Sequence, residues 1–331
     1  MENRKKDHIS MAFESQIGIT DLDPRFFYEP MLSPHPENAV PETVFAGKTM
    51  RLPIWISSMT GGTKEAGKIN RNLALACNEF GLGMGLGSCR ILLDDEKHFP
   101  DFDLRDTIGE NQPFWANLGI NQVELLLRKG KTDLIVSMVE KLRTDGLFVH
   151  VNPFQEWLQP EGDRLMRPAM ESVQELLELV SFPIIVKEVG QGMGFESLRQ
   201  LLRLPLAAIE FAAFGGTNFA KMELMRSNPQ QSELYGVLAN IGHTAEQMTD
   251  MVNRIVESEP QTIRCKQLII SGGIKSFLDG YHLIQTSKLP AVYGQASAFL
   301  KHAAIDYPSL KQFVEYQAKG LQMAYAFLRV K

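Results

Sequence analysis

Eight short apolar runs punctuate the chain, each ending in polar or glycine residues. They cover 52–57, 82–86, 113–116, 146–149, 182–186, 206–211, 267–270 and 291–293. Their apolar character is continuous rather than alternating, which is the pattern of strands buried on both faces. Most intervals between them carry helical periodicity. Ile69, Leu73, Ala76 and Cys77 share one helical face after the first run, and further helices are predicted through 123–127, 132–143, 169–180 and 308–328.

Eight such strands alternating with helices predict an α/β fold, a TIM (β/α)₈ barrel. A doubly wound open sheet is the competing architecture, but it gathers ligand groups at one switch point rather than around a ring. Residues 1–50 read as an N-terminal extension, Pro-rich and irregular, with a short hairpin over 44–52 turning at Gly47-Lys48. The interval 212–266 between strands six and seven is too long for one loop and helix. It predicts an insertion around 218–242 and a helix over 244–257. One domain spanning 1–331 is expected, with 1–50 as extension or lid and 51–331 as barrel.

Composition narrows the function classes. The chain has 331 residues, 44% hydrophobic and 22% charged, with a net charge of −5 and no long basic run, so no nucleic-acid footprint is present. The charged start, Met1 to Ile9, lacks the apolar core of a signal peptide, and no run reaches the roughly 18–20 apolar residues of a membrane span. Cys77, Cys89 and Cys265 are few, odd in number and widely spaced, which fits neither a disulfide framework nor a metal motif. A cytoplasmic protein is expected.

In a barrel, the C-terminal strand ends converge on one face, where the chemistry is kept. Collected there are Thr60, Ser88, Arg90, Asn117, His150, Asn152, Gln155, Glu156, Lys187, Thr217, Gly272, Gly273 and Gly294. The glycine turns after strands seven and eight suit a phosphate held on backbone N–H groups. Lys187 is a buried ammonium, suited to a Schiff base or an electron-rich cofactor, or else paired with Glu188 or Glu210. Glu156 is a hard-cation ligand of the kind that holds Mg²⁺ together with substrate phosphates. His150 serves either in catalysis or as a hydrogen-bonded support beneath the site. Gln155 is no general base, yet it can orient a reactive atom. Cys89 reads better as a small loop residue than as a nucleophile.

From Arg4 to about Ala298 the chain resembles the type 2 isopentenyl-diphosphate Δ-isomerases, FMN-dependent (β/α)₈ enzymes of isoprenoid synthesis. The resemblance rests on Arg4-Lys5-Lys6-Asp7-His8-Ile9, Ser58-Met59-Thr60-Gly61-Gly62, Gly87-Ser88-Cys89-Arg90 and Ala116-Asn117-Leu118-Gly119. It rests equally on His150 to Glu156, Ile185-Val186-Lys187-Glu188-Val189-Gly190, Gly215-Gly216-Thr217 and Ser271-Gly272-Gly273-Ile274. It implies that Ser58, Met59, Thr60, Gly61, Ser88, Asn117, Lys187 and Thr217 line the flavin, with Gly272, Gly273, Gln295 and Ala296 at its phosphate. It implies that Arg4, Lys5, Ser88, Arg90 and Gln155 bind an allylic or homoallylic diphosphate. Glu156 is then the Mg²⁺ ligand, Gln155 lies by the reacting carbons, and His150 and Asn152 position that group. NADPH is implied as reductant, and a homo-oligomer, tetramer or octamer, as the assembly.

The chain departs from the family pattern at Cys89, where Gln is usual, and at Lys275-Ser276-Phe277, where Arg and Gly are usual. Its eighth-strand segment, 288–296, is also atypical. An FMN barrel oxidoreductase of the 2-hydroxy-acid oxidase type is the neighbouring alternative; it carries a His-Gly-x-Arg segment, and no histidine here precedes glycine. A non-catalytic flavin- or phosphate-binding scaffold is the alternative from another class.

Overall fold

The computed structural model describes residues 2–37, 40–58 and 61–331. Eight parallel strands close into a barrel. We number them β1 (Ile54–Ile56), β2 (Gly83–Gly85), β3 (Phe114–Gly119), β4 (Leu147–His150), β5 (Ile184–Lys187), β6 (Ala208–Glu210), β7 (Leu268–Ser271) and β8 (Ala291–Gln295). Each pairs with its sequence neighbours, and β8 returns to β1. The TIM barrel predicted from the apolar runs is the fold observed.

Local chemistry explains the elements. The first barrel helix, Lys64–Phe80, starts where Thr63 Oγ1 accepts the Ala66 N–H at 3.1 Å, and it stops at Gly81 in the left-handed region, φ 70°. Its predicted face, Ile69, Leu73, Ala76 and Cys77, is the one buried against the barrel. The insertion after β6 folds as helices Phe219–Arg226 and Pro229–Tyr235. Helix Ala245–Ser258 then begins with a capping box between Thr244 and Gln247.

The barrel interior below the site is aromatic. Phe148 sits 5.9 Å, centroid to centroid, from both Trp55 and Trp115, edge-on to each. Gly83 on β2 makes room for the Trp55 ring, which a Cβ there would approach to 2.3 Å. From below, the hairpin Thr43–Phe45 and Lys48–Met50 inserts Phe45 and Met50 into the same cluster. That hairpin turns at Ala46 (φ 49°) and Gly47 (φ 80°), one residue earlier than predicted, because two positive φ values make the twist-matched two-residue turn.

The N-terminal extension therefore has three parts. Helix Glu2–Met11 and the chain up to Leu22 are largely exposed, with Ile9, Phe13, Ile17 and Ile19 each at least 75% accessible. Strand Phe26–Tyr28 pairs antiparallel with the C-terminal strand Leu328–Val330. The hairpin closes the bottom of the barrel.

Truncating the central aromatic tests this account of the floor. Phe148→Ala is expected to cost about 3–5 kcal/mol in urea unfolding, from lost burial and an unfilled cavity between two indoles. A loss below about 1 kcal/mol would contradict it.

Candidate active site

The polar strand ends meet in a cavity of about 450 Å³ at the C-terminal mouth of the barrel. Four buried side-chain atoms facing it have no hydrogen-bond partner among the described residues: Ser57 Oγ, Ser58 Oγ, Glu210 Oε2 and Gln295 Oε1. Each unpaired buried group costs about 1–3 kcal/mol, and native proteins carry few of them. Their convergence on one wall fits a polar ligand that supplies the missing partners.

The rim supplies donors for an anion. Gly272 (φ 90°) and Gly273 (φ 74°) turn sharply after β7, and a Cβ on Gly272 would lie 2.2 Å from Ala213 backbone atoms. Among the described residues, the N–H groups of Gly215, Gly216, Gly272 and Gly273 find no backbone acceptor. The helix that follows β7 is closed to an anion. Ser276 Oγ accepts the Asp279 N–H at 3.2 Å, and Asp279 Oδ2 accepts the N–H groups of Ser276 and Lys275 at 2.9 and 3.0 Å. Helix Ser297–Ile305 after β8 has no side-chain cap and opens onto the cavity beside Lys301. The free N–H groups at the rim are therefore those of the glycine turns and of helix Ser297–Ile305, the eighth barrel helix.

Lys187, 5% exposed, ends β5 and faces this cavity. Its Nζ donates to the Glu188 carbonyl at 2.7 Å rather than to a carboxylate. Glu188 instead accepts the N–H groups of Gly190, Gln191 and Gly192 at 2.6, 2.6 and 2.9 Å. Burial pushes the Glu188 carboxyl up, against the pull of those three bonds. Lys187 keeps two of its three donors for the cavity.

Asn117 on β3 donates through Nδ2 to the Leu86 carbonyl at 3.0 Å, and His150 Nδ1, at the end of β4, lies 2.8 Å from Asn117 Oδ1. An amide oxygen only accepts, so that contact assigns the proton to Nδ1. Burial, with the Lys187 charge beside it, pushes His150 down to about 3. A neutral imidazole of this kind supports its neighbours rather than carrying protons near pH 7. Asn152 Nδ2 forks to Gln155 Oε1 at 3.0 Å and Glu156 Oε1 at 3.1 Å. Glu156 Oε2 accepts the Asp163 N–H at 3.0 Å, and Asp163 pairs with Arg90 at 3.1 Å.

The sequence-predicted residues divide into groups. Ser58, Lys187, Thr217, Gly272, Gly273, Gln295 and Ala296 line the 450 Å³ cavity. Asn152 and Gln155 line a second cavity of about 510 Å³, largely apolar, which shares Val189 with the first. Gly61 packs on Phe102, and Asn117 lies beneath His150; neither lines these cavities. Met59 and Thr60 lie outside the described residues. Ser88 is exposed and accepts weakly from the Arg90 N–H at 3.4 Å. Arg4 and Lys5 are exposed on the N-terminal helix and line neither cavity. Among the described residues, no group of three His, Cys, Asp or Glu side chains is placed to hold a metal, so Glu156 would need substrate oxygens or water to complete one. Cys89 is wholly buried and its thiol is pushed up to about 12 by burial, which rules out a thiolate nucleophile near neutrality.

Sequence reading missed Ser57 and Ser271 and treated Glu210 only as a counter-ion. The available signal was a lone carboxylate inside the apolar run 206–211.

The low His150 pKa carries a sign. The unfolded imidazole titrates near 6.5, so between about pH 6.5 and 3 the unfolded chain binds a proton that the folded chain refuses. Stability therefore falls as pH drops through that window. Replacing His150 with Gln is expected to shrink the loss of unfolding free energy between pH 7.5 and 5 by about 1–2 kcal/mol. An unchanged loss in urea titrations would contradict a neutral, half-buried imidazole at this position.

No family model matches the chain. The isopentenyl-diphosphate delta-isomerase of Rickettsia felis is 33% identical over 330 residues, covering 97% of this chain and 90% of its own. That of Rickettsia typhi is 31% identical over 309 residues, covering 91% and 86%. Among solved structures, a mutant flavocytochrome b2 with benzoylformate superposes with a TM-score of 0.64 at 14% identity, covering 92% of this chain and 76% of the other. A mandelate oxidase mutant with a monooxide FMN adduct gives 0.54 at 15% identity, covering 93% and 88%. Those two likenesses speak for the barrel fold alone. The full-length relatives, the sequence motifs and the closed barrel agree, and the chain belongs to the isopentenyl-diphosphate delta-isomerase family.

Proposed function

We propose that this protein interconverts isopentenyl and dimethylallyl diphosphate with FMN seated in the barrel-mouth cavity. The observation that carries this is the set of unpartnered buried polar atoms around Lys187, bordered by free glycine N–H groups. One end of the cavity suits an electron-rich ring edge, the middle a polar chain, and the rim a phosphate. When bound and reduced, by NADPH in this reading, FMN supplies acid–base chemistry for moving a double bond without net redox change.

The chain's own residues then hold and shape the substrate. Lys187 places a buried positive charge against the cofactor. Asn152 fixes the Gln155 and Glu156 side chains through one forked amide, with neutral His150 supporting the neighbouring strand end. Gln155 orients the hydrocarbon from the side of the apolar cavity, where Val151 and Met193 exclude water. Arg90, Ser88, Arg4 and Lys5 would take the diphosphate, and Glu156 would hold Mg²⁺, which would supply positive charge to the diphosphate. For the last pair, the exposed N-terminal helix has to fold over the mouth as a lid on a single 1–331 domain. Its bare apolar residues support packing in a homo-oligomer, a tetramer or octamer. No helix among the described residues is long and apolar enough to cross a membrane, which accords with a cytoplasmic enzyme acting on small molecules.

Anaerobic conversion of isopentenyl diphosphate, with FMN, Mg²⁺ and NADPH each omitted in turn, tests the reading. Turnover is expected only with flavin and metal present. Product formation without flavin, or none with bound reduced flavin, would overturn it. In the same assay Glu156→Gln is expected to raise the Mg²⁺ concentration needed for half-maximal rate at least tenfold. An unchanged Mg²⁺ dependence would remove Glu156 as the ligand.

A further inference from the structure

Glu210 is one of the unpartnered groups in the cavity wall, the only acidic one among the four, and the reading above assigns it no ligand contact. Its side chain is wholly inaccessible. Oε1 accepts the Ser271 hydroxyl at 3.0 Å, while Oε2 has no partner among the described residues. Ser271 Oγ in turn accepts the Ala212 N–H at 2.9 Å, so its proton is committed to Glu210. Lys187 stands opposite Glu210 in the strand register, but its Nζ donates to the Glu188 carbonyl instead. A buried carboxylate left with one hydrogen bond is expensive unless something else completes it.

The order of groups around the wall says what completes it. Lys187 on β5 comes first, Glu210 on β6 next, then the glycine turn after β7 and the open helix end after β8. The two outer positions offer positive charge and N–H donors, and the one between them offers only an acceptor. A ligand matched to this sequence carries an acceptor at one end, hydroxyl donors in the middle and an anion at the other end. Resting on the flavin reading proposed above, we infer that Glu210 is a cofactor-contacting residue whose free oxygen accepts a hydrogen bond from a hydroxyl of the ribityl chain. It thereby selects a polyol-bearing flavin phosphate over one with a bare alkyl linker. A ring carbonyl or a phosphate at that point would meet a like-signed oxygen.

The test measures dissociation constants by flavin fluorescence for FMN and for analogues lacking one ribityl hydroxyl each. Wild type, Glu210→Gln and Glu210→Asp are compared, with thermal melting to confirm folding. Wild type is expected to bind one of the analogues about ten- to a hundredfold more weakly than FMN, the worth of a hydrogen bond to a charged group. The variants are expected to bind FMN more weakly and to lose most of that discrimination. A purely structural role through Ser271 would weaken all ligands alike and keep the discrimination, which would overturn the assignment. So would a wild type indifferent to every missing hydroxyl, a result that needs no variant. Absence of FMN binding by folded wild type would instead overturn the flavin reading itself.

Discussion

Closure of the barrel around a filled aromatic floor is the constraint on which the rest depends. Eight in-register strands leave no free edge, so every inward residue either packs against its neighbours or opens onto the mouth. Trp55, Trp115 and Phe148, sealed from below by Phe45 and Met50, occupy the lower interior and exclude water from it. Polar side chains are then tolerable only at the C-terminal ends, and they occur there. His150, Lys187 and Glu210 lie across from one another in the register of β4, β5 and β6, immediately above the aromatic layer.

That placement sets the electrostatics. Lys187 is the charge around which the layer is arranged: it helps hold His150 neutral, and its own hydrogen bond goes to the Glu188 carbonyl rather than to the Glu188 carboxyl. Glu188 is occupied in bracing the loop 190–192, which turns the chain between the two cavities. Asn152 does comparable work on the other side, holding an amide and a carboxylate with a single NH₂ group. The site is therefore rigid where positive charge and side-chain orientation matter.

The barrel was legible because a strand buried on both faces must be apolar throughout, and runs such as 184–186 and 268–270 are apolar at every position, while polar groups at several strand ends favoured a ring over a single switch point. The helix starts at Thr63 and Thr244 carry side chains that cap, a local signal that the periodicity reading did not use. What escaped was non-local or weakly apolar. Pairing of Phe26–Tyr28 with Leu328–Val330 joins opposite ends of the chain and leaves no local signal. Helix Glu2–Met11 carries only two apolar residues, Ile9 and Met11, both near its end, so periodicity could not reveal it. The short helical turns between Arg90 and Ile108 are too brief to show a repeat. Within the site, Lys187 and the glycine turns stood out by residue type. Serines 57 and 271 did not, since a serine at a strand end is ordinary until its hydroxyl is seen buried against a cavity.

The central claim is that the polar ring of strand ends was built to seat one flavin, ring edge at Lys187 and phosphate at the glycine rim. A crystal structure of the protein with FMN tests it most directly. The account predicts density running from Lys187 past Glu210 to Gly272, Gly273 and Ala296, with the buried oxygens of Ser57 and Ser58 newly bonded. Flavin density in the apolar cavity beside Gln155, or a phosphate placed away from both glycine turns and the eighth helix, would contradict it.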